Sequence, residues 1–218
     1  MDINWIIQQF GPFMQQIAVM LPAMLLAICV HEAAHGWMAD RLGDPTARML
    51  GRVTLNPLKH LDPVGTLVFI VTRFIGWAKP VPVDARNLKN PRRDMMWIAC
   101  AGPASNLILA TGFVGVYHLI PIPYAGDAFW GHTPLFLIVQ RCIVINLALM
   151  VFNLIPLPPL DGGRILNGLL PPQGSIMFSR IEPYGFFILL GLIFFRVLDY
   201  TVFPIIYVLI RMYGVLGI

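Results

Sequence analysis

Residues 17–35 read IAVMLPAMLLAICVHEAAH, and this stretch decides how the rest of the chain is interpreted. Residues 3–30 contain no Asp, Glu, Lys or Arg, and the stretch covers the end of this uncharged run and the five residues after it. Residues four apart stack on one face of a helix, so His31 and His35 present imidazole nitrogens to one point. Glu32 projects about 100° round the helix axis, beside that point. Two nitrogen ligands with a separate carboxylate form the arrangement that a zinc hydrolase needs.

The composition indicates a membrane protein. Of the 218 residues, 57% are apolar and 12% are charged, and the mean hydropathy is +0.73. A soluble domain carries about 25% charged residues. Several stretches reach the ~20 apolar residues that cross a hydrocarbon core of about 30 Å. We therefore expect an all-α polytopic membrane protein that forms one integral-membrane domain over residues 1–218.

Hydropathy and helix breakers divide the chain into spans. Long helices are predicted at about 13–40, 95–120 and 134–155, and short spans at 183–198 and 202–216. Residues 64–77 are apolar but short, which is typical of either a re-entrant or a tilted segment. Residues 51–55 and 79–83 alternate in polarity like short strands. The sequence thus predicts five to six transmembrane helices with short membrane-associated β-strands.

The basic residues predict how these spans are oriented in the membrane. Ten of the 15 Lys and Arg residues lie between positions 41 and 93: Arg41, Arg48, Arg52, Lys59, Arg73, Lys79, Arg86, Lys89, Arg92 and Arg93. The positive-inside rule places that region in the cytoplasm, so the N-terminus is expected outside and the HEAAH pentapeptide towards the cytoplasmic side. The net charge of +4 does not indicate a nucleic-acid partner, because the basic residues cluster next to the membrane.

A zinc site of this type needs a third protein ligand and leaves the fourth position to water. Asp161 stands in NLIPLPPLDGGR, residues 153–164, where the third long helix ends at the same depth as the two histidines. The two glycines that follow permit a tight turn or a close approach of another segment. Aspartate is also a common N-cap, here for a short segment at 162–170. Spacing and depth therefore leave metal ligand and helix cap as alternatives for Asp161.

Three further polar residues are candidates for the site. Asn106 lies in a run of small residues within the second long helix, where it either bonds to a neighbouring helix or contacts a substrate backbone. Asn153, near the inner end of the third long helix, is placed to donate to a peptide carbonyl or its oxyanion. His60 lies in the basic loop region, where an exposed histidine is the ordinary case, and we leave it outside the ligand set.

Three motifs taken together resemble the site-2 proteases, a family of intramembrane zinc metalloproteases. HEAAH at 31–35, GPASN at 102–106 and NxxPxPxLDG at 153–162 occur in the family's order. The resemblance implies a three-helix catalytic core, one Zn²⁺ held by His31, His35 and Asp161, and Glu32 as the general base. It also implies transmembrane segments of other proteins as substrates. The length leaves no room for a PDZ or CBS domain, so we expect a minimal, core-only member.

Two other functions fit the same residues. In a transmembrane metal transporter, His31, His35 and Asp161 would form a transit site. In a non-catalytic membrane-protein binding module, the pentapeptide would persist without turnover. The predicted surroundings are the lipid bilayer and transmembrane protein or peptide substrates, without nucleic acid, and the sequence makes no prediction of the oligomeric state.

Overall fold

The computed structural model describes residues 3–65, 67, 78–120 and 134–215. The α-helices in this part of the chain include α1 (Ile3–Leu42), α2 (Thr46–Met49), α3 (Pro91–Leu119), α4 (Pro134–Asn153), α5 (Asp161–Leu169), α6 (Pro172–Ser179), α7 (Glu182–Phe194) and α8 (Val197–Met212). Two 3₁₀ turns, Pro57–Lys59 and Ala85–Asn87, lie between α2 and α3. The predicted all-α membrane architecture is confirmed.

Gly43 follows the last residue of α1, Leu42, which lies two residues beyond the predicted end at about 40. It has φ +112°, its N–H donates to the Asp40 carbonyl at 3.2 Å, and the next N–H, of Asp44, donates to the Ala39 carbonyl at 2.9 Å. This pair of bonds is the Schellman motif, which satisfies the last carbonyls of a helix. The C-terminal end of α1 is therefore fixed seven residues after His35.

Three described helices are long and apolar enough to cross a membrane: Gln16–Leu42 within α1, Pro91–Leu119, and Leu135–Asn153. A fourth span results if α6 and α7, which are bent by 64° at their junction, act as one broken span. The described residues thus supply three or four spans, fewer than the five to six predicted. The shortfall arises because α7 and α8 have 13 and 16 residues, which reach only about 20 and 24 Å. The apolar piece at 64–77 lies almost wholly outside the described residues.

The described residues contain no β-strand, so both predicted strands are wrong. An isolated antiparallel bridge between Leu61 and Ala78 is the only pairing of this kind in the described part of the chain. At the first segment, Gly51 has φ +63° and turns the chain. At the second, Pro80 and Pro82 remove two of the N–H groups that a β-ladder would use.

Helix α3 lies at the centre of the bundle and packs against α1, α4 and α5. The largest buried apolar cluster lies where α3, α4 and α8 meet, with Tyr117, Ile143, Leu147 and Ile206 among its members. A smaller one joins α1 to α3 through Ala39 and Ile98. This packing sets the three helices α1, α3 and α4 side by side and determines which of their polar residues meet.

Candidate metal centre

His31 and His35 lie one turn apart on α1, on the side that faces α3. Their Nε2 atoms are 3.0 Å apart, and the residues are only 7% and 9% exposed. The structure therefore brings the two imidazoles to one point, as their spacing predicts.

Asp161 reaches the same point from the start of α5. Its Oδ2 lies 3.1 Å from His31 Nε2 and 3.2 Å from His35 Nε2. Asp161 is the first residue of α5, whose cap position is held by Leu160, and no side chain caps this helix. The structure thus does not support the cap alternative for Asp161.

Gly162 allows α5 to begin directly under the end of α4. A Cβ atom at Gly162 would lie 2.3 Å from the Ile155 carbonyl oxygen and 2.4 Å from that of Leu154. Such distances are far below van der Waals contact, so any other residue would push α5 and its first side chain away. The close approach predicted for the glycines after Asp161 is present in the structure.

Hydrogen bonds to their Nδ1 atoms orient both imidazoles. His31 Nδ1 lies 2.6 Å from Asn106 Oδ1, and His35 Nδ1 lies 2.7 Å from the Ile98 carbonyl oxygen. Both partners are acceptors, so each Nδ1 carries the hydrogen and each Nε2 presents a lone pair. Asp161 Oδ2 is buried without a hydrogen-bond donor. Three lone pairs therefore point at one another, an arrangement that a cation bound between them would stabilise.

The separations of the three atoms fit zinc. They form a nearly regular triangle with sides of 3.0 to 3.2 Å. In a tetrahedral site with ligand bonds of about 2.0–2.1 Å, neighbouring ligands lie about 3.3 Å apart. His31, His35 and Asp161 are also the one group of metal-ligating side chains that converges among the described residues. Two imidazoles and one carboxylate leave a fourth position, as in catalytic zinc sites.

Gly102 lets the backbone of α3 approach the histidines. A Cβ atom there would lie 2.5 Å from His35 Nε2 and 2.6 Å from His31 Cε1. The glycine of the GPASN motif thus leaves room for the two rings between α1 and α3.

Asn106 supports His31 instead of facing a substrate. It is fully buried, and its Nδ2 donates to the Ala27 carbonyl at 3.2 Å and to Asn146 Oδ1 at 2.8 Å. Asn146 in turn donates to the Cys142 carbonyl at 2.7 Å. The structure therefore favours the interhelical hydrogen bond over the substrate contact for Asn106. Our sequence analysis missed Asn146, although an asparagine within an apolar helix is a signal for a polar network.

Asn153 is the last residue of α4 and is half-buried. Its Nδ2 donates to the Leu149 carbonyl of its own helix at 3.0 Å. An amide nitrogen carries two hydrogens, so this bond leaves the second for another acceptor. The role in binding a peptide carbonyl stays a prediction.

Glu32 is not part of the triangle. Its half-buried carboxylate accepts a hydrogen bond at Oε2 from the backbone N–H of Val81, at 2.9 Å. Val81 belongs to residues 79–88, which run along α1 and which we call the strap. Leu88, near its end, is buried between Ala39 of α1 and Ile98 of α3.

Asp44 fastens the strap to the end of α1. The fully buried carboxylate accepts from the Asp84 N–H at 2.7 Å and from Asn87 Nδ2 at 2.8 Å. Burial favours the neutral acid, but hydrogen bonds from Thr46, Asn87 and Asp84 outweigh it and lower the pKa of Asp44 below its ordinary value. At the exposed surface of the strap, the Arg86 guanidinium lowers the pKa of Asp84 to about 2.

His60 is buried and not an exposed loop histidine, so that expectation is wrong. It is 1% exposed, and its Nε2 lies 2.8 Å from the Thr54 carbonyl oxygen. His60 directly follows the 3₁₀ turn Pro57–Lys59, and its backbone N–H donates to the Pro57 carbonyl at 2.9 Å. His60 does not belong to the triangle of metal-facing atoms.

A comparison with protein families matches residues 112–195 to the model described as Peptidase family M50. The matched range contains Asn153 and Asp161. The HEAAH pentapeptide precedes it.

Curated proteins match a larger part of the chain. The protein named "Putative zinc metalloprotease YwhC" of Bacillus subtilis is 42% identical over 183 residues, which cover 83% of this chain and 82% of that protein. "Putative zinc metalloprotease Rip2" of Mycolicibacterium smegmatis is 29% identical over 192 residues, 87% of this chain and 71% of that protein. Rip2 of Mycobacterium tuberculosis H37Rv is 29% identical over 210 residues, 94% and 76% of the two chains. No solved structure gives a significant match.

Proposed function

Because this chain belongs to peptidase family M50, the site-2 protease family of zinc metalloproteases, we propose that it cleaves peptide bonds within or near transmembrane segments of other membrane proteins. The observation that carries the proposal is the triangle of His31, His35 and Asp161 inside an apolar bundle, with Glu32 next in sequence to one of its members. Imidazole and carboxylate groups at membrane depth are costly and by default indicate function. The whole chain acts as one membrane domain in this proposal.

We assign the zinc to the Nε2 atoms of His31 and His35 and to Asp161. When bound, zinc supplies a Lewis acid that polarises a carbonyl and activates a water at neutral pH. Glu32 takes the proton of the attacking water and delivers it to the leaving amine. Asn153 donates its second amide hydrogen to the carbonyl oxygen under attack. Asn106 holds the tautomer of His31 and does not touch the substrate.

The surroundings of the site constrain the substrate. A transmembrane helix hides its peptide groups in its own hydrogen bonds, so the segment to be cut must be locally unwound before water can attack it. The cluster of basic residues at 41–93 supports a cytoplasmic location for the adjacent end of α1 and for the site. Water would then enter from the cytoplasm.

The transporter alternative has less support. Transit across the membrane needs successive polar sites, and His31, His35 and Asp161 form the single converging group in the described part of the chain. Transport also gives no role to Glu32. Metal flux in proteoliposomes that persists in Glu32→Gln would favour the transporter.

The experiment compares membranes that contain the wild-type protein with membranes that contain Glu32→Gln, which keeps the size of the side chain and removes its basicity. Mass spectrometry of new N-termini should find fragments cut in or beside transmembrane segments with the wild type only. Equal zinc content in the two proteins provides the control. The same fragments at the same rate with Glu32→Gln would contradict the proposal.

A further inference from the structure

The strap makes one contact with the proposed general base. The backbone N–H of Val81 lies 2.9 Å from Glu32 Oε2, across 49 residues of sequence. We infer that this amide is a positioning donor that holds the Glu32 carboxylate for proton transfer, an inference that rests on the role proposed for Glu32 above. Anchoring Oε2 leaves Oε1 to exchange the proton.

The sequence of the strap leaves Val81 as an isolated donor. Pro80 and Pro82 on either side have no N–H, and their rings fix φ near −65°. The N–H of Lys79 is bonded to the His60 carbonyl at 2.8 Å. Within residues 79–82, the only amides are therefore those of Lys79 and Val81, and each already has an acceptor. The Val81 amide is therefore not available to another acceptor while it is bonded to Glu32.

The strap is held on both sides of Val81. On the N-terminal side, the bond from Lys79 ties it to the loop that contains His60. On the C-terminal side, Asp84 and Asn87 bond to Asp44 at the end of α1. The Val81 side chain itself rests over Gly36, where a Cβ atom would lie 3.2 Å from Val81 Cγ1. The donor is therefore fixed relative to the helix that carries Glu32.

A fixed donor matters because glutamate has three rotatable side-chain bonds. Proton transfer requires a donor–acceptor distance of about 2.6–3.2 Å, so a base that samples several rotamers is out of reach for part of the time. Holding one carboxylate oxygen removes this freedom before the substrate binds, and misplacement by about 1 Å can cost 10²-fold in rate. This predicts an effect on kcat with little effect on zinc or substrate binding.

The first test measures the contact without any reaction. Amide hydrogen exchange of the zinc-loaded protein, labelled with ¹⁵N-valine, is compared between the wild type and Glu32→Ala. We expect exchange at Val81 to become at least about tenfold faster, since the acceptor is lost, while Val83 changes less than threefold. Unchanged exchange at Val81 would overturn the inference.

The second test removes the donor. Val81→Pro lacks the N–H, whereas Val81→Ala keeps it, and Ala85→Pro places a proline at an exposed first position of a 3₁₀ turn. With a membrane segment found in the wild-type comparison above, Val81→Pro should lower kcat at least about 30-fold with KM and zinc content within twofold. Val81→Ala should retain at least a third of kcat, and Ala85→Pro should match the wild type. Loss of kcat in Val81→Ala equal to that in Val81→Pro would overturn the inference.

The outcomes separate the two proposals. If Glu32→Gln is inactive and Val81→Pro keeps its kcat, the protease assignment stands and the positioning role fails. If exchange at Val81 responds to Glu32→Ala but the wild type cuts no membrane protein, the contact is real and the proposed function fails. A Val81→Pro protein that does not fold leaves the exchange experiment to decide.

Discussion

The hydrogen bonds behind the two histidines determine what the histidines can bind. Asn106 and the Ile98 carbonyl oxygen each accept from an Nδ1, which turns both Nε2 lone pairs towards Asp161. Such outer partners fix the ring orientation and raise the basicity of a ligating imidazole. The orientation of both Nε2 lone pairs is thus set by groups on α3 as well as by the residues on α1.

Removal of Asp161 tests the third ligand. Asp161→Ala leaves two imidazoles, and we expect the zinc affinity to fall at least about 100-fold, since outer partners alone contribute about 10–100-fold. Zinc per chain is measured by mass spectrometry after dialysis against graded chelator concentrations. Asp40→Ala, an aspartate on α1 that pairs with Arg48, is the control. Full zinc occupancy in Asp161→Ala would contradict the assignment.

Removal of Asn106 tests the outer partner. In Asn106→Ala the N–H of His31 loses its acceptor, and we expect the zinc affinity to fall about 10–100-fold without loss of the ligands themselves. The same dialysis series measures the effect. Thr111→Ala, a polar-to-alanine change further along α3, should bind zinc like the wild type. Equal affinity in Asn106→Ala and Thr111→Ala would show that the network does not orient His31.

At the scale of the elements, the sequence predicts best those features that depend on neighbouring residues, and it does not predict contacts between distant parts of the chain. Helix α4 begins at Pro134 as predicted and α1 ends within two residues of its predicted end, because a helix end is decided by a few neighbouring residues. Helix α3 begins at Pro91, four residues before the predicted start at about 95. Residues 79–83 of the strap are predicted as a strand because their alternating Val and Pro residues resemble one, but Pro80 and Pro82 lack the N–H groups that a strand needs. Its real partner on α1 lies 49 residues away, so no local pattern indicates it.

The same difference between local and long-range contacts holds for the residues of the site. Spacing on one helix brings His31 and His35 together, but for Asp161 it left two alternatives that only the family resemblance separated. The partners of Asn106 come from other helices, so the sequence could place this residue inside the bundle without saying which bond it makes. The sequence analysis did not identify Asn146 for the same reason, although this asparagine lies in an apolar helix.

The close packing of α3 on α1 is tested by its glycines. Gly102→Ala places a Cβ atom 2.5 Å from His35 Nε2, so we expect lost zinc and a lower melting temperature. Gly112 and Gly115 on the same helix face open space, where alanine should be neutral or stabilise by about 0.5–1 kcal/mol. Chelator titration and thermal unfolding measure both effects. A Gly102→Ala protein with normal zinc binding would contradict the packing described for this contact.

Asp44 makes the strap sensitive to acid. The pKa of this carboxyl is lower in the folded protein than in the unfolded chain, so its stabilising effect is complete above about pH 4 and is lost as the pH falls further. Asp44→Asn replaces one acceptor oxygen with an NH₂ group that faces the donors of the strap. We expect its melting temperature at pH 7 to fall by roughly 3–10 °C, because hydrogen bonds to a charged group contribute about 1.5–3 kcal/mol.

Thermal unfolding in detergent from pH 3 to pH 8 measures this effect. The difference in melting temperature between the wild type and Asp44→Asn should shrink as the pH falls below about 4. Asp40→Asn is the matched control, since its partner Arg48 is largely exposed and such surface pairs contribute about 0–1 kcal/mol. A constant difference between wild type and Asp44→Asn across the whole range would show that the charge is not responsible.

At the scale of the whole molecule, α1 determines where the site lies along the bundle. His35 lies seven residues before the C-terminal end of this helix, a distance of about 10 Å along its axis. The triangle is therefore inside the bundle, near the C-terminal end of α1. The strap lies beside that end of α1, and ten of the 15 Lys and Arg residues fall between positions 41 and 93.

The orientation of the protein is tested with two cysteines at opposite ends of α3. Lys89 lies just before the helix and Leu119 is its last residue, and both are exposed. The native Cys29, Cys100 and Cys142 are first replaced by alanine. Because the positive-inside rule places positions 41–93 in the cytoplasm, a membrane-impermeant maleimide should label Leu119→Cys in intact cells and Lys89→Cys in inverted vesicles. The opposite pattern would place the zinc triangle at the outer face, and water and substrate would then reach it from outside the cell.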